Sequence, residues 1–497
     1  MSLGAEQIGP WLRCDVFNRA FRLSENLASK MFCVRHYFPK YPDKIMQSPG
    51  QTNARHLPQL SGGSGDSGHY AEFSADPLGF LTRAYKECGE VGEFDLAGLK
   101  TVLLVGLEAQ EAFFRAPETQ LSAAAAYQMM VPVFGEGIQF GAPPEIERQQ
   151  LRIQYQGVRH ERMVHYAPVV ASEVEAFIKD WGDEGELDIY EAFTELTLRT
   201  STHSLLGGEL RSRLTGEIAE LYGDLERGID ASALRDPYQA KDAFRRRDAA
   251  REKLEVILSD AVRARRNKGV REDDMLQIYM DATYEDGRPL SDHEITGMVI
   301  WFMFAGHHTS SNTATWSMIE FARHPEYQAA VYEQVDNLWA KQQELSFAAL
   351  RETPLLEGFI RESLRVHPPL NTLTRRALED FRFKDYVIEA GKNVMVSPYV
   401  SHKLPELFEN PERFDPYRQP HENPFATIAF GGGRHRCIGN AFAILQVRAI
   451  FCALLRDYEF ELAAPDEAYA EVMPTLILRP HGPARIRYRR RMTRPVQ

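Results

Sequence analysis

Phe430-Gly431-Gly432-Gly433-Arg434-His435-Arg436-Cys437-Ile438-Gly439 sets three glycines before a basic cluster, then a single cysteine. An amphipathic, helix-forming stretch follows at 440–455. Glycines let a backbone approach a flat partner closely. A cysteine at the start of a helix meets the positive end of the dipole, worth ~0.3–1 kcal/mol to an anionic thiolate. Arg434, His435 and Arg436 add positive charge, which is expected to depress the thiol pKa. Such a thiolate could ligate a metal or attack a substrate. The plainer alternative is a structural cysteine in a glycine-rich turn.

The rest of the chain narrows the choice. It has 497 residues, 44% hydrophobic and 26% charged, which excludes a disordered or low-complexity chain. A net charge of −12 argues against a general nucleic-acid binder. The five cysteines, Cys14, Cys33, Cys88, Cys437 and Cys452, form no CxxC pair. A disulfide framework or structural zinc is therefore not expected, and a reducing compartment fits. No apolar run reaches the ~18 residues of a membrane span, and no secretory leader is visible.

The first 45 residues carry seven Lys/Arg against four acids, with a rough helical stripe from Trp11 to Phe32. Such a segment suits a membrane surface or a transit peptide; a helix on the body or a loose tail is the alternative. Residues 46–68, with Gly-Gly-Ser-Gly-Asp-Ser-Gly, read as a linker. Length alone suggests about three domains. No second linker or repeat exists, so one domain over 66–497 after an extension at 1–65 is the expectation.

The segment from 66 onward reads as mainly helical. Ser291 with Glu294 forms an S-x-x-E capping box that opens some thirty helix-forming residues, to about Arg323. It contains Ala305-Gly306-His307-His308-Thr309-Ser310-Ser311, whose glycine and hydroxyls weaken the helix locally. His307 and His308 are not expected to share a metal, since adjacent helix positions point about 100° apart. A second helix is expected over 354–366, ending at His367-Pro368-Pro369. Its Glu362 and Arg365, three apart, share a face. Short strands are expected at 381–387 and 393–397, with a pair at 475–478 and 484–488.

These motifs, in this order, resemble the cytochrome P-450 family. Its F-x-x-G-x-[HR]-x-C-x-G pattern is met at Phe430, Gly433, His435, Cys437 and Gly439. The resemblance implies a mainly α fold with small β-sheets (α+β) enclosing haem b. Cys437 is then the axial iron ligand, its thiolate favouring O–O cleavage. His435 becomes a haem propionate donor, Phe430 packs beside the sulfur, and Gly431 belongs to the loop under the cofactor. Glu362, Arg365 and Arg413, from Pro411-Glu412-Arg413-Phe414, form a buried structural charge network. Ala305–Thr309 makes a groove for dioxygen. Thr309 helps deliver protons, and His308 stands where many members carry an acid.

Ala-Gly-His-His-Thr-Ser-Ser is similar to the version in the sterol 14α-demethylases, especially the soluble bacterial members. Tyr127 to Phe140, with Pro132, Phe134, Gly135 and Gly137, resembles their Y-x-x-x-x-x-P-x-F-G-x-G-x-x-[FY]-D signature. The likeness covers about residues 66–490. It implies that Tyr127, Met129, Phe134, Phe302, Ala305, Leu373 and Met473 line the pocket, and that Arg159, Arg375 and Tyr127 hold the haem. It implies three oxidations that release a sterol 14α-methyl as formate. Dioxygen and a separate electron donor, a ferredoxin or a cytochrome P-450 reductase, are implied too. Arg434, Arg436 and Arg448 are the expected docking charges. A cytoplasmic protein, with peripheral membrane contact through 1–65, is the matching location. Departures are Gly141 where aspartate is usual, Ala123 and Ala125 in place of polar residues, and the polar Asn371-Thr372-Leu373-Thr374. They keep open a hydroxylase of another steroid or terpenoid. A haem-thiolate isomerase is the remoter alternative.

Overall fold

The computed structural model describes residues 55–492, except 214–215, 230–232, 234–235, 270, 342–343 and 474–476. The basic stripe before Phe32, the start of the linker and half of the expected strand at 475–478 lie outside the described residues. The principal helices are α1 (Pro77–Cys88), α2 (Leu107–Arg115), α3 (Pro144–Tyr155), α4 (His160–Ile178), α5 (Ile189–Arg213) and α6 (Gly216–Arg227). They continue with α7 (Asp242–Lys268), α8 (Asp292–Arg323), α9 (Pro325–Lys341), α10 (Pro354–Val366) and α11 (Asn440–Asp457). Among the described residues, four small sheets sit between them. The largest runs β1 (Val91–Leu96), β2 (Leu99–Leu104), β8 (Asn393–Val396), β5 (Leu373–Ala377), β3 (Leu121–Ser122). Only β2 with β8 pair parallel in it.

The centre of the fold is α8. Its 32 residues span ~48 Å. Ser291 Oγ accepts from Glu294 N, and Ser291 N donates to Glu294 Oε2 at 2.8 Å, so the capping box forms as the sequence expects. The helix is buried nearly all round, apolar over 297–304 and rich in hydroxyls and histidines beyond, so other elements must cover it. α5, α7 and α10 pack against it. From Glu294 to Phe321, Ala305 alone is exposed; Phe304, Gly306 and Thr309 are half-buried.

The helix over 354–366 has the expected limits. The strand expected at 381–387 is instead a hairpin, β6 (Phe381–Phe383) with β7 (Tyr386–Ile388). The expected C-terminal pair is divided between two sheets. β10 (Glu471–Val472) pairs with β11 (Arg479–Pro480). β12 (Arg485–Arg490) lies between β4 (Glu184–Asp188) and β9 (Tyr458–Leu462). Residues 55–65, grouped by composition with the linker, lie along the body. Arg55 bridges Tyr386, Gln59 bridges Glu93, and Leu60 is buried.

Candidate active site

Cys437 N donates to Phe430 O at 2.9 Å, which closes the glycine loop on itself. Gly431 (φ 65°) and Gly433 (φ 60°) take left-handed conformations that strain other residues. A Cβ on Gly433 would also collide with the carbonyl oxygen of Phe114 on α2. The loop ends at Gly439, the N-cap of α11. The amides of Gly439 and Asn440 and the charge of Arg436 pull the Cys437 pKa down. Burial outweighs them and leaves the thiol above its ordinary value, against the sequence expectation. An ionised sulfur here needs a cation, which a coordinated metal supplies. By surface area Cys437 is nevertheless exposed. Enclosure by protein together with open surface marks a side chain facing an internal opening.

α8 shows the same signature. Ala305 and Thr309 are four apart, so they share a face. A Cβ added to Gly306 would meet nothing within 4 Å. Thr309 Oγ1 donates to Ala305 O at 2.8 Å, folding the hydroxyl back along the helix. A helix covered elsewhere from 294 to 321 thus has one open face, where Ala305 and Thr309 sit.

At the edge, Arg375 on β5 is 2% exposed and lies over the rings of Phe113 and Phe114. Its Nη1 donates to Phe113 O and Ala116 O, while Nη2 is buried without a partner. Burial holds this guanidinium down to about 10. Tyr127 stacks on Phe140 and accepts from Thr374 N at 3.3 Å. His435 Nε2 stands 2.7 Å from Glu118 Oε2. Glu118 also accepts from Ser122 Oγ and Ala124 N, and these donors with His435 hold it down to about 2 despite burial. Nearby Glu147 is buried with Oε1 unpartnered, and burial raises its pKa. Arg159 is not brought into this enclosed group: it is exposed at the N-cap of α4, where the chain turns at the surface.

A thiol that needs a cation, a glycine loop, an open helix face and an orphaned buried arginine fit an anionic, flat iron cofactor. Cys437 could hold its iron, and Arg375 Nη2 with Tyr127 and His435 its carboxylates.

Residues 67–487 match the family model of cytochrome P450. The chain belongs to the cytochrome P450 family. It is 43% identical to sterol 14alpha-demethylase of Mycolicibacterium vanbaalenii over 453 residues, 89% of this chain and 99% of that protein. It is 35% identical to sterol 14-demethylase of Arabidopsis thaliana, covering 85% of this chain and 89% of the relative. Among solved structures, the retinoic acid bound cyanobacterial CYP120A1 superposes with a TM-score of 0.79 over 88% of this chain. All of that structure's chain is covered, and at 22% identity it speaks for the fold alone. As a cytochrome P450, the chain is a haem b monooxygenase that uses O2, a redox partner and an apolar substrate.

Behind the site of this cytochrome P450, the expected charge trio is rearranged. Arg365 Nη2 and Glu362 Oε1 pair at 2.8 Å, each side chain 3% exposed. The third cation is Arg418, whose Nε lies 3.1 Å from Glu362 Oε1. Arg413 is exposed and contributes only its carbonyl, which accepts from Arg365 and Arg418. Its backbone turns the carbonyl inward, so its side chain leaves the cluster. Arg448, expected at the docking surface, is 7% exposed and held by Glu357, Leu350 O and Thr353.

Met129, Phe134 and Phe302 lie in the main core at 3%, 2% and 8% exposure, while Leu373 and Met473 are half-buried. Phe134 meets Phe304 edge-on. Gly141 closes a tight turn: an added Cβ would sit 3.3 Å from Gly135 O and from Val131. Sequence reasoning missed Glu226 on α6. Its Oε2 stands 3.6 Å from His308 Nδ1. His308 Nε2 is buried without a partner, and His307 Nε2 is 2.8 Å from Thr194 O on α5. Burial lowers His308 to about 4 and His307 to about 3, and raises Glu226. Glu226 is 82 positions from His308, so nothing in the sequence links them. Arg418 had a signal, since it follows Pro411-Glu412-Arg413-Phe414 by four residues.

Proposed function

We propose that this cytochrome P450 removes the 14α-methyl group of a sterol. The observation that carries this is the 43% identity to a sterol 14alpha-demethylase along nearly the whole length of both chains. Haem b, when bound, supplies two-electron activation of O2 and insertion of one oxygen atom into a C–H bond. Three rounds, each using one O2 and two electrons, take the methyl to alcohol, to aldehyde and then to formate. The last leaves a ring double bond.

The chain's own residues do the rest. Cys437 would hold the iron through sulfur. Arg375 Nη2 and the Tyr127 hydroxyl would hold propionates, and His435 would join them while Glu118 fixes its ring. Ala305 and Gly306 keep the open face of α8 clear. Thr309 Oγ1 donates to Ala305 O in this state and can turn to pass a proton into the opening. A neutral His308 accepts a proton at one nitrogen and releases one from the other. Its Nδ1 faces Glu226, and we read this pair as the route by which protons enter α8 beside Thr309. Met129, Phe134 and Phe302 back the apolar wall, with Ala305, Leu373 and Met473 nearer the substrate. Arg434 and Arg436, both exposed, suit an acidic ferredoxin. Among the described residues no helix is long and apolar enough to cross a membrane.

A second reading, hydroxylation of a more polar steroid or terpenoid, is favoured by Thr372 and Thr374. These half-buried hydroxyl residues are two apart on an extended segment beside Tyr127. Optical titration separates the two. A high-spin shift with lanosterol-type sterols, and formate released on turnover, is the result expected. No shift with any sterol overturns the demethylase reading. Cys437→Ser is expected to abolish the thiolate-type carbon monoxide spectrum of the reduced protein; its survival overturns the ligand assignment.

A further inference from the structure

Behind α8 a buried histidine ties down the β10–β11 hairpin. His367 Nε2 lies 3.0 Å from Glu320 Oε1 on α8, and Nδ1 lies 2.6 Å from Glu471 Oε1 on β10. Trp316 stacks on its ring at 4.0 Å with an 8° interplanar angle. Tyr399 donates to the other oxygen of Glu471 at 2.9 Å. The second strand is tied as well, by Leu478 N to Pro369 O at 2.9 Å. In the ladder Val472 faces Arg479, one position along from Glu471 and Pro480. The anchor at Glu471 therefore fixes where Arg479 emerges.

Arg479 emerges beside Tyr190 on α5. Its guanidinium carbon lies 5.8 Å from the centre of the Tyr190 ring. Tyr190 and Thr194 are one turn apart on α5, and Thr194 O holds His307. The positive charge of Arg479 favours the ionised form of Glu226 and disfavours protonation of His308. The other charges that act on Glu226 are His307 and Arg227, with Tyr190 also close to it.

We propose that Arg479 is a positioning residue for proton delivery, set by the His367–Glu471 anchor so that its charge stands beside the Tyr190–Thr194 turn of α5 and acts on the Glu226–His308 pair. A cation on the hairpin disfavours protonation of both groups, so each stays able to accept a proton and pass it on. The idea rests on the reading of His308 and Glu226 as the proton route.

The test uses the full-length haem protein with ¹³C-labelled histidine, as the diamagnetic ferrous carbon monoxide complex. The His308 signal is assigned with His308→Gln and followed by NMR against pH. Arg479→Gln is expected to raise the His308 midpoint by about one pH unit, and Arg479→Lys by less than half of that. In turnover, Arg479→Gln is expected to lower kcat by about tenfold, with the sterol Kd within about twofold. Glu471→Gln keeps Arg479 but cuts its anchor, and is expected to raise the midpoint in the same direction. An unchanged His308 midpoint in Arg479→Gln, or in Glu471→Gln should the first variant not fold, overturns the proposal. A wild-type protein that turns over no sterol, with the midpoint still moving in Arg479→Gln, overturns the demethylase reading and leaves the role of Arg479 standing.

Discussion

Arg365 and Arg413 show how two arginines near one carboxylate differ in weight. Arg365 is sealed against Glu362 and also donates to His402 O at 2.9 Å. Arg365→Ala takes the closer of two guanidiniums from buried Glu362, leaving it Arg418, and is expected to cost about 3 kcal/mol. Arg413→Ala keeps the carbonyl that the cluster uses, and is expected to stay within about 0.5 kcal/mol. Denaturant unfolding of the two variants checks the contrast; equal losses would restore Arg413 to the network. The sequence made Glu362 and Arg365 legible because helix periodicity fixes positions three apart. It could not choose between Arg413 and Arg418, since a loop has no period and the choice depends on which way the backbone turns. The same limit hid Glu226 and left the balance at Cys437 misjudged: charge can be read from composition, burial cannot.

At the scale of elements, the cysteine loop and α8 contain glycines of opposite kinds. Gly433 has left-handed backbone and Phe114 O directly against it. Gly433→Ala is therefore expected to destabilise the protein by about 1–3 kcal/mol and to weaken haem retention. Gly306 has ordinary helical backbone and open space beside it. Gly306→Ala is expected to stabilise the helix slightly, by up to about 1 kcal/mol, while narrowing the opening and weakening sterol binding. Melting curves with sterol titrations test both; a Gly433→Ala protein as stable as wild type would refute the tight-loop account. The limits of α8 and α10 were readable because a capping box and a His-Pro-Pro stop are local signals. The C-terminal strands were not, because their partners are remote: β12 pairs with residues about 300 positions earlier in β4.

Across the whole molecule, buried histidines give stability a pH dependence with a definite sign. Burial holds His307 and His402 down to about 3 and His308 to about 4. The unfolded chain binds protons at these residues from about pH 6.5 downward, while the folded one resists. Their contribution is thus full above about 6.5 and is lost as pH falls. Glu118 and Glu294, each held down to about 2, add a further loss below the ordinary value of 4.5. His324 and His367 are raised by their carboxylate partners and act oppositely, stabilising most below 6.5 and losing this as pH rises through their folded values. The larger, downward set is expected to win, so denaturant midpoints fall from about pH 7 to about pH 5, before most carboxylates titrate. A flat midpoint over that range would refute the assignment of buried neutral histidines. One consequence of β12 concerns synthesis rather than chemistry. It is the middle strand of its sheet, yet it follows both of its edge strands in the chain. β4 and β9 must wait for it, so a chain still on the ribosome cannot join the two edges of that sheet. Premature termination before Arg485 would leave both exposed as unpaired strands, open to association with other nascent chains.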